Sequence, residues 1–332
     1  MPKKKDLFQQ FITEMNILNI DQIEAKKLFD SSWKIEKEEV ENNFDMWIAK
    51  IKYGIIPLDE GDYVKALIHA LRIAPKLVSS DYGSSRQRDL GQLWTDTTRG
   101  FLGEIALAKF VKKRFDIKFL LDYTLGDIAD YLPSDIKKVE LPDGAQIDPK
   151  IRVSFKSTKF NGIWLDEPGA QIERSDAFIL IKLGIGRDHF VGFWKNLGVI
   201  SDLLIPYAQE IGAIDNKISK KILGNLPDFT LVPSYIVGFI DKESINNIPT
   251  SNYKYIPRHS KNGAFKYYEL LNYIGWVEES GKPINIPEHL KNKPFRFAST
   301  KKIPKTKSFI TSTTFLKSSK SAWMSLANQI IQ

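Results

Sequence analysis

The stretch "DAFILIKLGI", Asp176 to Ile185, constrains the fold more than any other part of this chain, because it is apolar at nearly every position. A strand with one face in water alternates, so a run without alternation needs cover on both faces. Helices or a second sheet must supply that cover. The chain is therefore expected to form an α/β core around a mixed sheet. The preceding strand signal, "RVSFKST", does alternate, with Val153 and Phe155 on one face and Arg152, Ser154, Lys156 and Thr158 on the other. Taken alone it is an amphipathic strand with a wet side.

Upstream of both lies "TTRGFLGEIALAKFVKKRF", whose spacing predicts a helix. At about 100° per residue, Glu104 points the same way as Phe101, Ala108, Val111 and Phe115, while Lys109 and Lys113 lie opposite. A carboxylate on the interior side needs a cation, a hydrogen-bond network or a metal ion. Between helix and strand, "TLGDIADYLPSD" offers Asp127, Asp130 and Asp135.

Three stretches are expected: a helical region over residues 1–90, a core over 91–205 and a basic α+β region over 206–332. In the first, Phe8, Phe11, Ile12 and Met15 recur at helix spacing, and "NIDQIEAKKLF" opens with a cap signal. In the second, "HFVGFWK" is read as a strand joined to "DAFILIKLGI" by a hairpin turn around "LGIGRD". In the third, "LVPSYIVGFI" reads as a strand, "AFKYYELLNYIGWVEES" as a helix, and "STKKIPKTKSFITSTTFL" as an extended basic segment.

The chemistry on offer is narrowed by what is missing. With no cysteine among 332 residues there are no disulfides, thiolate nucleophiles or cysteine-held zinc, and the four histidines have no ligand spacing. Hard metals on oxygen ligands remain. No phosphate loop, dinucleotide fingerprint or serine-hydrolase elbow occurs. No apolar run approaches the roughly 20 residues of a membrane span, and "MPKKKDLFQQF" lacks a signal-peptide core, so a cytoplasmic location is expected.

The net charge of +8 is unevenly placed. From Ser251 onward there are 14 Lys and Arg against 4 acids, a local +10, and the first 250 residues hold 34 against 36. Such a basic tract attracts polyanions, with a nucleic acid backbone the usual partner. Aromatic residues such as Tyr255, Tyr267, Tyr268 and Phe297 are interleaved with it, as core side chains or as platforms for bases.

Taken together, "GFLGEIALAKF", "GDIAD", "RVSFKSTK", "SDAFILIKLGI" and "HFVGFW" resemble the core of the PD-(D/E)XK nuclease superfamily, over roughly residues 95 to 200. The resemblance implies a restriction-endonuclease-like mixed sheet flanked by helices, and a Mg²⁺-dependent endonuclease acting on double-stranded DNA, of the sequence-specific type II kind and working as a homodimer. Carried over by position, Glu104 matches the helix glutamate, Asp127 the sheet aspartate and Lys156 the motif lysine. Glu104, Asp127 and Asp130 are then the expected metal ligands, with Asp130 and Asp148 as rivals to Asp127. Ser154 stands where the family usually has Asp or Glu, so Glu104 is expected to replace that ligand, and no proline precedes Asp127. Lys159, Arg296, Lys301, Lys302, Lys305 and Lys307 are expected to meet DNA. Two other readings remain open: a structure-specific repair or recombination nuclease, and a non-catalytic DNA-binding protein with a decayed core, which Ser154 favours.

Overall fold

A computed structural model describes residues 3–80, 89–121, 123, 135–186, 189–248, 253–284, 286–299 and 306–332. The chain opens with α1 (Lys4–Ile17), α2 (Gln22–Asn42), α3 (Phe44–Gly54), a short strand β1 (Ile55–Leu58) and α4 (Glu60–Ser80). Next come α5 (Leu90–Phe115), β2 (Lys118–Leu121), β3 (Ile136–Glu140), β4 (Gln146–Ile147), β5 (Val153–Lys159), β6 (Trp164–Pro168), α6 (Gly169–Arg174) and β7 (Ala177–Leu183). After these follow α7 (His189–Asn196), α8 (Ile205–Glu210), α9 (Asn216–Asn225), β8 (Val232–Asp241) and α10 (Lys242–Asn246). The remainder holds β9 (Lys254–His259), β10 (Phe265–Asn272), β11 (Ile274–Val277), β12 (Phe295–Phe297), β13 (Ser308–Ser312) and α11 (Lys320–Ile331).

The central sheet has the order β1-β8-β7-β5. β5 and β7 run parallel, as the crossover through β6 and α6 requires, and β8 is antiparallel to both β7 and β1. Every position of β7 is buried, the covering that its unbroken apolar sequence demands. Asp176 sets the parallel register: its carboxylate accepts from the Arg152 backbone N–H at 2.9 Å and pairs with the Arg152 guanidinium at 3.0 Å.

One face of this sheet is covered by α4, α5 and α11, with Leu102, Ile105, Phe110 and Trp323 packed against Ile179 and Ile181. The other face meets α1 to α3 and a second sheet of order β11-β13-β6, through Phe11, Phe29, Trp47, Leu165 and Phe309 against Phe178 and Leu180. Two smaller sheets, β2-β3-β4 and β12-β10-β9, complete a mixed α/β molecule. No described helix is long and apolar enough to cross a membrane.

The strands anticipated at "RVSFKST", "DAFILIKLGI" and "LVPSYIVGFI" are present as β5, β7 and β8. "HFVGFWK" instead forms the helix α7, with Gly192 and Phe193 on its buried side, so a helix follows β7 and the anticipated hairpin does not form. "AFKYYELLNYIGWVEES" is not a helix but two strands, β10 and β11. Of the extended basic segment, Ser308–Ser312 is β13, fully buried, and residues 300–305 lie outside the described ones. The central sheet also takes strands from all three stretches distinguished by sequence: β1 from residues 1–90, β5 and β7 from 91–205, and β8 from 206–332.

Candidate active site

Lys156 lies on the edge strand β5, on the same face as Ser154 and Thr158. Its backbone partner on β7 is Leu180. Directly after β5 the chain turns sharply, with the Gly162 N–H donating to the Lys159 carbonyl at 2.8 Å. A Cβ at Gly162 would collide with the Thr158 side chain, so only glycine lets β6 double back closely over this face. Along β6, Leu165 and Glu167 are buried, while Trp164 and Asp166 on the other side are half-buried.

This return path brings Glu167 to Lys156. The carboxylate has 0% exposure, and its Oε2 is 3.4 Å from Lys156 Nζ, an ion-pair distance longer than a good hydrogen bond. Neither Oε1 nor Oε2 of Glu167 has a hydrogen-bond donor among the described residues, and Asp166 Oδ1 is a third buried oxygen in this condition. Burial pushes the Glu167 carboxyl up to about 7, Lys156 pulls the other way, and Asp135 and Asp166 add repulsion. Asp166 is also raised by burial, to about 6, against the attraction of Lys156. Unsatisfied buried carboxylate oxygens are costly, and they concentrate where charge is used. Lys156 itself keeps 39% of its side chain exposed, so the pair opens to solvent on the lysine side.

Asp135 completes the group. Its backbone N–H donates to the Val153 carbonyl at 3.1 Å, and its Oδ2 accepts from the Phe155 N–H at 2.7 Å. It thus caps the free edge of β5 next to Lys156 and adds negative potential at Glu167. Three carboxylates and one lysine therefore interact around the β5 edge.

The remaining sequence candidates are spread more widely. Glu104 is half-buried on α5, where its charge lifts the Tyr123 hydroxyl above the usual phenol range alongside the larger effect of burial. The adjacent Gly103 backs onto Ser157, on the sheet face opposite to Lys156. Ser154 is buried at 3% exposure on the Lys156 face. Asp148 is 77% exposed and pairs with Lys138 at 2.7 Å. Asp127 and Asp130 lie outside the described residues, as do Lys301, Lys302 and Lys305. Lys159 is exposed at the end of β5, and Arg296 is exposed on β12. The Lys307 carbonyl accepts from the Gly169 N–H at 2.9 Å at the end of β6, and the exposed Lys307 ammonium lies over the Trp276 ring at 5.0 Å.

Glu167 is not singled out by the sequence, where it sits directly before the breaker pair Pro168 and Gly169. The available signal was the alternation Leu165, Glu167, which puts an acid on the apolar side of a short strand. A second buried lysine is a poorer candidate: Lys182 on β7 has 2% exposure, faces Glu36 and Tyr235, and is pulled down to about 8 by burial. It is sealed from any substrate.

Among the described residues, no three His, Cys, Asp or Glu side chains form a ready metal cage. The buried Asp166 Oδ1, which lacks a donor, is an oxygen ligand of the kind a hard cation takes, whereas Glu167 points to the opposite side of β6. A cavity of about 880 Å³ lies elsewhere, between α4, α5, β1 and β2, and neither Lys156 nor Glu167 lines it. The pair opens instead at a sheet edge, an arrangement better suited to a polymer backbone than to a small enclosed ligand. No family model, no curated protein and no solved structure matches this chain.

Proposed function

We propose that the protein is a Mg²⁺-dependent endonuclease that hydrolyses phosphodiester bonds of double-stranded DNA, of the PD-(D/E)XK type. The observation that carries this reading is the pairing of solvent-facing Lys156 with the wholly buried carboxylate of Glu167. Ser154, standing where an acid is usual, argued for a decayed core. Glu167 answers that objection, because it supplies a carboxylate to the same lysine from the next strand.

In hydrolysis, an oxygen of water bonds to phosphorus while the bond to the departing sugar oxygen breaks and that oxygen takes up a proton. Lys156 offsets charge on the phosphate and orients the attacking water. Glu167, wholly buried, meets no water itself and acts by holding Lys156 Nζ at 3.4 Å. A Mg²⁺ held by Asp166 would supply charge neutralisation on the phosphoryl oxygens. Asp135 holds the β5 edge, and with it Lys156, in place. The basic C-terminal tract and Lys307 favour DNA over other phosphodiesters.

Within this class we favour a sequence-specific restriction enzyme acting as a homodimer on palindromic sites. Digestion of plasmid DNA with and without Mg²⁺, followed by sequencing of the ends, tests the reading. Discrete fragments that appear only with Mg²⁺ and disappear in Lys156→Ala are the expected result. Cutting confined to branched or flapped substrates would point to a repair nuclease, and intact DNA throughout would overturn hydrolysis.

A further inference from the structure

The sheet β12-β10-β9 ends in a hairpin that extends away from the core. Between Ile256 and Lys266 every residue is exposed except Ser260, which is half-buried, so both faces of the outer part are wet. A two-stranded ribbon exposed on both faces is only marginally stable unless its base is anchored. Here the anchor is strong: Leu270 and Tyr273 are fully buried, and Arg258 and Lys34 both pair with Glu269. The tip is also fixed. The Ser260 N–H donates to the Ala264 carbonyl at 2.8 Å, the Gly263 N–H to the Ser260 carbonyl at 3.0 Å, and Gly263 takes a φ of 83°, which favours glycine.

The outer part of this ribbon is basic, although Lys254 pairs with Glu38 at 3.5 Å and Arg258 with Glu269. From Tyr253 to Tyr268 the sequence holds Lys254, Arg258, Lys261 and Lys266 and no acid. Lys261 and Lys266 have no acidic partner among the described residues, and Lys266 sits at a register shift between Phe265 and Tyr267. Phe265 is 42% exposed and Ile256 39%, so the ribbon also offers apolar side chains to a partner. Exposed Arg296 of β12 lies over the Tyr267 ring at 4.6 Å and widens the basic face. At its base the chain passes from Asn272 of β10 into Ile274 of β11, in the sheet that carries Glu167.

We propose that the hairpin Lys254–Asn272 enters a groove of duplex DNA and holds the duplex for the Lys156–Glu167 site. This rests on the DNA-cleaving reading above. The major groove, about 12 Å wide, admits a two-stranded ribbon. Lys261 and Lys266 meet phosphates on its walls, and Phe265 makes apolar contact inside it.

The test is fluorescence anisotropy of a fluorescein-labelled duplex of mixed sequence, titrated without divalent metal at several salt concentrations. Wild type is compared with Lys261→Ala/Lys266→Ala, whose folding is checked by circular dichroism and whose positions lie far from any core contact. The expected result is weaker binding by about tenfold or more, with a slope of log affinity against log salt reduced by about 2, as loss of two phosphate contacts requires. Wild-type affinity and slope in the variant would overturn the hairpin proposal and leave the nuclease reading standing. Equal wild-type affinity for a single strand of the same sequence would overturn groove binding in particular. A wild type that binds no DNA would remove both.

Discussion

At the residue scale, the molecule tolerates in Glu167 a carboxylate that solvent cannot reach and that meets one lysine at 3.4 Å. Its folded pKa of about 7 against an ordinary 4.5 means that the folded state keeps a proton which the unfolded chain gives up over that interval. Stability therefore falls as pH rises from about 4.5 to about 7, and the full cost is present above that. Asp166, raised to about 6, adds a cost of the same sign. Glu167→Gln removes the Glu167 part of this dependence. In urea unfolding the variant is expected to gain about 1 to 3 kcal/mol over wild type at about pH 8 and much less at about pH 5. An equal difference at both pH values would contradict the burial assigned to this carboxylate.

At the element scale, the position of β5 depends on how closely α5 approaches it. A Cβ on Gly103 would stand 2.9 Å from Ser157 Cβ, so Gly103→Ala must push helix and strand apart. The expected loss is about 1 to 3 kcal/mol by denaturant titration, with weaker DNA cleavage because Lys156 moves with its strand. β5, β7 and β8 were legible because alternation and unbroken apolarity each have a physical cause in burial. The short run "HFVGFWK" was not, since a few apolar residues fit one turn of helix or one strand equally well. "AFKYYELLNYIGWVEES" misled for a different reason: the register shift at Lys266 and the passage between sheets at Tyr273 break its period-two pattern into an apparent helical one.

At the scale of the whole molecule, the central sheet draws β1, β5, β7 and β8 from stretches far apart in sequence, and Trp323 of α11 packs on Phe110 and Phe239. A fragment of residues 91–205 thus lacks both β8 and the β1 edge. By circular dichroism and thermal melting it is expected to show no cooperative unfolding; a sharp transition would contradict this account of the core. The same long-range assembly explains how much of the site could be read in advance. Lys156 stood out because it is a lysine in mid-strand on the polar face of an otherwise predictable strand. Glu167 did not, because its burial depends on β13, whose Phe309 pairs with it from a distant part of the chain. Charge placement along the sequence, by contrast, pointed to a C-terminal basic surface without any knowledge of the fold.

The central claim is that Lys156 and Glu167 form a hydrolytic pair, and the rate of Mg²⁺-dependent nicking of supercoiled plasmid by Glu167→Gln tests it most directly. With folding of the variant verified, the account predicts a rate at least about a hundredfold below wild type. A variant that nicks at the wild-type rate would contradict it.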